Sequence, residues 1–328
     1  MNACINISFV IPCYRSENTI LFVVDEIEET MKKRQELEYE IILVNDGSPD
    51  GVWNVINDRA EKDEHIVGID LARNFGQHCA LMAGYNRARG DIIVSLDDDG
   101  QTSAGEVFKL IDKLNEGYDT VYAVYSEYHQ SAFRRWGSGF ANRMTYSMLN
   151  VKEDFPKVSS YFVMRRFVVD EILNYDHPYP YIAGLILRAT RNIAFVNIEH
   201  RKRMSGKSGY SLKSLYSLWL NGFTAFSVKP LEIGILVGFF LAFCGFLFTV
   251  ITVIRKMLTP QMQAGWSSTI SAIMFIGGVI MIMLGLIGEY IGRIYICLNN
   301  SPQYVIRKVV GAGYADDTNN GIYDTSEQ

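Results

Sequence analysis

Residues 233–254 and residues 267–288 each run for 22 positions without a charged side chain. A helix buried in a water-soluble core is rarely so long and so apolar on every side. At about 1.5 Å rise per residue, each stretch gives about 33 Å of helix, against about 30 Å for the hydrocarbon of a bilayer. The sequence therefore predicts two transmembrane helices joined by a short loop that carries Arg255 and Lys256. Gly277, Gly278, Gly285 and Gly288 offer small surfaces for helix packing. A mean hydropathy of +0.05 averages two unlike parts, because the chain up to about residue 228 reads as water-soluble.

Residues 213–228, with Leu215, Tyr216, Leu218, Trp219, Leu220, Phe223 and Phe226, are apolar and aromatic between Lys213 and Lys229. That pattern suits a helix lying in the headgroup region. Lys213, Lys229, Arg293, Arg307 and Lys308 flank the hairpin on the side opposite Arg255 and Lys256. The N-terminus enters a strand-like run at once, without a basic segment and apolar core, and is not expected to be a signal peptide. Together these place the large N-terminal domain in the cytoplasm. The expected domains are residues 1–212, an interfacial segment 213–230, a transmembrane hairpin 231–298 and a polar tail 299–328. The net charge of −5 provides no broad basic field for nucleic acid. Five scattered cysteines, odd in number and without metal-ligand spacing, fit a reducing compartment.

The first domain alternates strand, loop and helix at roughly 25-residue spacing, which argues an α/β fold with a doubly wound, mostly parallel sheet. Residues 5–11 read as a strand ended by Pro12, and residues 19–34 as a helix with Ile20, Val23, Val24 and Ile27 on one face. Residues 39–44, 66–71 and 91–96 are the next strands, each followed by a polar loop. In an open α/β sheet, the loops at the carboxyl edge bind ligands. Here they carry Glu17, Asp46, Arg73 and the run Asp97-Asp98-Asp99-Gly100-Gln101.

Three adjacent carboxylates repel one another unless a cation is shared between them. Oxygen ligands favour Mg²⁺ or Mn²⁺, which usually bridge to substrate phosphates. Asp46 could accept hydrogen bonds from a nucleobase or ribose, and Arg73 could offer a planar fork to a diphosphate. Taken singly, each of these is more often a turn residue or a surface ion pair. There is no Gly-x-Gly-x-x-Gly after the first strand and no Gly-Lys-Ser/Thr loop, which argues against a dinucleotide enzyme and a P-loop NTPase.

Four motifs in order carry a resemblance. They are Ile11-Pro12-x-Tyr14 with Glu17; Asn45-Asp46-Gly47-Ser48-x-Asp50; Arg73-Asn74-Phe75-Gly76-Gln77; and Asp97-x-Asp99-x-Gln101 followed by Glu106. This order resembles family 2 glycosyltransferases of the GT-A fold, over roughly residues 5–310. Within them it is most similar to dolichyl- and undecaprenyl-phosphate sugar transferases, the bactoprenol glucosyltransferase group. The resemblance implies a nucleotide-sugar site formed by Pro12, Tyr14, Glu17, Asp46, Arg73, Asp97 and Asp98, with Asp46 on the nucleoside. It implies Mg²⁺ or Mn²⁺ held by Asp97, Asp99 and Gln101 on the donor diphosphate.

Phe133-Arg134-Arg135-Trp136-Gly137-Ser138 is similar to the stretch that binds the acceptor phosphate in that family, through Arg134 and Ser138. His200-x-x-Arg203-x-x-Gly206-x-Ser208 resembles the loop that closes over the donor, with Arg203 as clamp and Lys207 as a second cation. The chain departs from the pattern at Val124-Tyr125-Ser126, where many relatives carry a further Arg. It also departs at Ser159-Ser160-Tyr161, where an acidic residue is common.

The expected activity is inverting transfer of a hexose from UDP- or GDP-hexose to polyprenyl phosphate at a bacterial inner membrane, in cell-envelope glycan synthesis. Asp97, Asp99 and Arg203 are the expected catalytic residues. The expected partners are the nucleotide sugar, the lipid phosphate and the bilayer, with no nucleic acid and with a homo-oligomer left open. Two alternatives remain. One is transfer to a hydroxyl, which needs a base such as Glu153 or Asp154. The other is a non-catalytic membrane scaffold.

Overall fold

The computed structural model describes residues 6–125, 159–198, 265–298 and 302–311, with isolated helical positions at 238, 240, 243, 247 and 254. The chain divides into two units, Met1–Ser211 with Ser301–Gln328, and Leu212–Asn300.

The first unit is an α/β sheet. Its strands are β1 (Ile7–Cys13), β2 (Tyr39–Asn45), β3 (Ile66–Leu71), β4 (Ile92–Ser95), β5 (Thr120–Tyr125), β6 (Phe162–Arg165), β7 (Ile193–Ile198) and β8 (Ile306–Gly311). Among the described residues they form one sheet in the order β7-β5-β6-β4-β1-β2-β3-β8. β1, β2, β3 and β4 pair in parallel, as do β5 and β7, while β6 and β8 run antiparallel to their neighbours.

β1 is buried at every position, which is why it reads as an apolar run rather than an alternation. It continues through Pro12 to Cys13, where the sequence suggested that Pro12 would end it. A proline forfeits one donor, but its fixed φ suits an extended strand, and Pro12 pairs in register with Val44. The helices between strands are α1 (Ile20–Met31), α2 (Val52–Ala60), α3 (Gln77–Arg87) and α4 (Val107–Asn115). The apolar face Ile20, Val23, Val24 and Ile27 of α1 is buried, as its spacing predicts. α3 packs close to the sheet at Gly84, where a Cβ would lie 2.3 Å from Cγ1 of Val10. After β6 come two shorter helices, α5 (Arg166–Leu173) and α6 (Ile182–Ala189).

β1 is flanked by β2 on one side and β4 on the other. The chain thus winds outward from β1 through β2 and β3, then returns to the opposite side for β4. This reversal is the topological switch point, where the loops leaving β1 and β4 part and a crevice opens.

Residues 306–311, which the sequence reading assigns to a polar tail, form β8 on the β3 edge. Val310 is the buried residue of this strand, while Arg307 and Lys308 are exposed, as suits charged side chains on a sheet edge.

The second unit is described mainly through α7 (Trp266–Leu298), 33 residues long. Ile273, Ile276, Ile280, Met281, Leu284 and Ile287 are exposed along it. Among the described residues, no helix is long and apolar enough to cross a membrane. Part of the α7 side chains and most of the first uncharged stretch lie outside the described residues, as does the interfacial segment 213–230.

Candidate active site at the strand exits

The register of the central strands fixes where the chemistry gathers. Cys13 pairs with Asn45 and Asn45 with Asp70, while Ser95 pairs with Val10. The loops after β1, β2, β3 and β4 therefore leave from one edge, bringing Tyr14, Glu17, Asp46, Arg73 and residues 97–101 to the same side.

Asp46 is the first residue past β2 and is 3% exposed. Its N–H donates to the Cys13 carbonyl at 3.0 Å. Its carboxylate accepts from the backbone N–H groups of Phe75 (2.7 Å) and Gly76 (2.9 Å). Gly76 has φ +94°, a conformation open to glycine, which turns the two donors inward. Burial pushes the Asp46 carboxyl above the usual range, and the two N–H groups oppose that shift. Each carboxylate oxygen keeps a second lone pair with which to accept from a ligand.

Gly47 makes this arrangement possible. It sits at φ +57°, and a Cβ there would lie 2.4 Å from the Arg73 carbonyl carbon. The loops after β2 and β3 are thus in backbone contact. Arg73 itself is exposed, with its guanidinium 4.2 Å from the Phe75 ring centre.

The loop after β1 is tied to its neighbours on both sides. Toward β2, Glu17 Oε2 accepts from the Gly51 N–H (3.0 Å), and the Glu17 N–H donates to Asp50 Oδ2 (3.1 Å). Ser48 Oγ accepts from the Arg15 N–H and donates to Asp50 Oδ1. Toward β4, the Tyr14 N–H donates to Asp98 Oδ2 at 2.9 Å, and Thr19 Oγ1 donates to the Asp98 carbonyl at 2.7 Å. Asp98 thus bridges the two sides of the switch point. Burial pushes its carboxyl up to about 6; the Ser16 hydroxyl and Tyr14 N–H act against the shift, and Asp97 and Asp99 add to it.

Asp97 faces a different set of partners. Gln77 Nε2 donates to its Oδ1 at 3.0 Å, and the Ser160 hydroxyl donates to its Oδ2. Asp99 Oδ1 accepts from the Gln101 N–H at 3.0 Å, which closes the turn around Gly100 at φ +67°. Asp97, Asp99 and the Gln101 amide present oxygen donors from one short loop. Among the described residues no three Asp, Glu, His or Cys side chains gather into a metal cage. Two oriented carboxylates nevertheless suit a hard cation that takes the rest of its ligands from a diphosphate and water. Gln77 and Ser160 act on Asp97 as the outer partners of a metal ligand do, fixing its orientation.

Pro12 is buried within β1, and Tyr14 is 43% exposed at its end. Arg134, Ser138, Glu153, Asp154, Arg203 and Lys207 lie outside the described residues. The structure adds groups to which the sequence reading gives no role: Gln77, Ser160, Ser16, and the pair Asn45 and Asp70. Gln77 stands inside a motif quoted above, directly after Gly76, so its position was the available signal. Ser160 stands in the departure at Ser159-Ser160-Tyr161 noted above, which was the available signal but assigned it no partner.

Comparison with known proteins follows the same division of the chain. Residues 8–173 match the model of glycosyl transferase family 2, and residues 229–294 match that of the GtrB C-terminal hairpin. An uncharacterised glycosyltransferase, YkcC, of Bacillus subtilis (strain 168) is 32% identical over 313 residues, 95% of this chain and 96% of its own. The undecaprenyl-phosphate 4-deoxy-4-formamido-L-arabinose transferase of Yersinia pestis (strain Pestoides F) is 34% identical over 313 residues, 93% of this chain and 94% of its own. Among solved structures, mannosyl-3-phosphoglycerate synthase from Rubrobacter xylanophilus superposes with a TM-score of 0.50 at 18% identity. That superposition covers 66% of this chain and 71% of the other, a likeness of fold.

Proposed function

Because the chain belongs to glycosyl transferase family 2 and is a glycosyltransferase, we propose that it moves a sugar from a nucleotide diphosphate donor to the phosphate of a polyprenyl lipid. The observation that carries this reading is the similarity along nearly the whole chain to an undecaprenyl-phosphate sugar transferase, hairpin included. The strand-exit loops supply the matching chemistry.

In this reading Asp46, gripped by the Phe75 and Gly76 N–H groups, receives the nucleoside, with Pro12, Tyr14 and Glu17 around it. Arg73 lies toward the diphosphate. Asp97, Asp99 and Gln101 would hold Mg²⁺ or Mn²⁺, which when bound would supply positive charge to the donor diphosphate. Asp98, pinned to Tyr14 and Thr19, keeps the β1 and β4 exits at a fixed separation and shapes the donor side. Arg203 and Lys207 close over the donor, and Arg134 with Ser138 captures the lipid phosphate.

An oxygen of the lipid phosphate attacks C1 of the sugar, the C1–O bond to the diphosphate breaks, and the nucleoside diphosphate departs with its electron pair. The configuration at C1 inverts. A phosphate monoester with a second pKa of about 6 is already ionised at neutral pH, so the step needs no side-chain base. The two uncharged stretches, as transmembrane helices with an interfacial segment before them, keep the enzyme at a bacterial inner membrane beside its acceptor, with the catalytic domain in the cytoplasm.

A hexose is the proposed sugar. A second reading is favoured by the 34% identical relative, whose name specifies a 4-deoxy-4-formamido-L-arabinose donor: a substituted pentose. Purified full-length protein incubated with undecaprenyl phosphate and a panel of nucleotide sugars tests both. Metal-dependent release of nucleoside diphosphate, together with an organic-extractable sugar phospholipid, is the expected result. Donor turnover only with a hydroxyl acceptor would replace this mechanism with the base-dependent one.

A further inference from the structure

Arg307 lies far from the motifs that build the donor site, on the edge strand β8. Its guanidinium nevertheless reaches the end of β3 and the loop that follows it at once. One amino group donates to Asp70 Oδ2 at 3.1 Å, and the other donates to the Ala72 carbonyl at 2.6 Å. Asp70, at the end of β3, is almost fully buried. Its second oxygen accepts from Asn45 Nδ2 at 2.7 Å.

Asn45 then continues the chain of contacts. Its Oδ1 accepts from the Ser48 N–H at 3.1 Å, which fixes the turn containing Asp46 and Gly47. The contact with Ala72 fixes the other side, because residues 72–76 lead to the Phe75 and Gly76 donors on Asp46. The cradle of Asp46 is thus held from two directions by one side chain. A buried carboxylate that loses its cation must find other donors or expose itself, and a shift of Asp70 acts on Asn45 through the bond to its other oxygen.

The strand itself is anchored for this role. The Ala72 N–H donates to the Val305 carbonyl at 2.8 Å, and Gln303 Nε2 donates to the carbonyls of Tyr175 and His177. Gly311 at φ +128° approaches the Ile66 backbone so closely that a Cβ would lie 2.4 Å from its oxygen. β8 is therefore fastened along its length and cannot slide without breaking the Asp70 contact.

We infer that Arg307 is a positioning residue for the nucleoside end of the donor site, acting through Asp70 and Asn45 on the loop that presents Asp46. The inference rests on the proposed donor role of Asp46. Arg307 touches neither donor nor acceptor in this account, so its removal affects one substrate selectively.

The test is titration of UDP and GDP, each with Mn²⁺, into detergent-solubilised full-length protein, with steady-state kinetics on whichever donor turns over. Arg307→Ala should weaken nucleotide binding and raise the donor KM roughly three- to tenfold, while kcat and the lipid-phosphate KM stay within about twofold of wild type. Arg307→Lys should recover part of the loss, since an ammonium lacks the fork that spans Asp70 and Ala72. Asp70→Asn, which preserves volume, is a second variant expected to give the same split should Arg307→Ala fold poorly. Lys308→Ala, on the same strand, should behave as wild type. Unchanged nucleotide affinity in folded Arg307→Ala and Asp70→Asn overturns the inference, as does a loss shared equally between donor and acceptor. Asp46→Asn separates the two levels. Undiminished nucleotide binding there removes the donor role of Asp46 and with it the premise. Weakened binding there beside normal binding in Arg307→Ala overturns the positioning role alone.

Discussion

Gln77 donates from Nε2 to Oδ1 of Asp97 across 3.0 Å, which ties the first residue of α3 to the loop leaving β4. A carboxylate that must meet a divalent cation is more effective when its rotamer is already set. Gln77→Ala should therefore raise the Mn²⁺ concentration needed for half-maximal activity by roughly ten- to a hundredfold. Asp97→Asn, which removes the charge itself, should abolish transfer while the protein keeps a cooperative thermal transition. Metal titrations of activity, with calorimetry of both variants, check this. Full activity of Asp97→Asn would remove the metal assignment.

Gly47→Ala tests the contact between the β2 and β3 exits. The added methyl meets the Arg73 backbone at φ +57°, and backbone cannot swing away as a side-chain end could. A cost of about 1–3 kcal/mol in stability is expected. Nucleotide binding should fall by at least about tenfold, because relief requires the Asp46 cradle to open. Denaturant unfolding and nucleotide titration measure the two effects separately.

His78 provides a pH signature. It follows Gln77 in α3, its Nδ1 is shielded from water, and burial holds the ring's pKa down at about 4. The unfolded chain takes up the proton near 6.5. Between these values the unfolded state binds more protons than the folded one, so stability is full above about 6.5 and falls as the pH drops toward 4. The slope from this group is at most about 1.4 kcal/mol per pH unit. His78→Gln should flatten the dependence of Tm on pH between about 4 and 6.5 relative to wild type. Parallel curves for the two proteins would show that His78 does not titrate in this way.

The identity of the nucleophile divides the phosphate-acceptor mechanism from its rival. If the lipid phosphate attacks, Arg134→Ala should raise its KM roughly ten- to a hundredfold, as expected for a charge-assisted contact of about 1.5–3 kcal/mol. Ser138→Ala should be milder, and Asp154→Asn should retain most activity. An inactive Asp154→Asn beside a near-normal Arg134→Ala would transfer the mechanism to a hydroxyl acceptor with a carboxylate base.

Membrane topology is open to direct measurement. A reporter fused after Gly311 should read cytoplasmic, and one inserted near Gln261 should read external, in accord with the lysine and arginine bias around the hairpin. The opposite pattern would place the strand-exit site on the side away from cytoplasmic nucleotide sugars.

The sequence by itself determined the elements that depend on local pattern. Apolar β-branched runs ended by Asp- and Gly-rich turns gave the parallel strands β1 to β4, and with them the edge on which Asp46, Arg73 and Asp97 would meet. That inference holds because a parallel strand buried on both faces is mostly apolar, and its polar residues collect toward its ends. Pro12 misled the boundary of β1 because it loses only a donor, not the extended conformation. What only the tertiary structure decided is which distant groups orient the carboxylates. Ser160 reaches Asp97 from 63 residues away, and Arg307 reaches Asp70 from 237 residues away. Neither has a signature that names its partner, since a serine before a strand and an arginine in an edge strand are ordinary residues until the sheet order makes them neighbours. Strand order is set by which apolar faces pack together across the whole chain, and hydrogen bonds of this kind are its consequence.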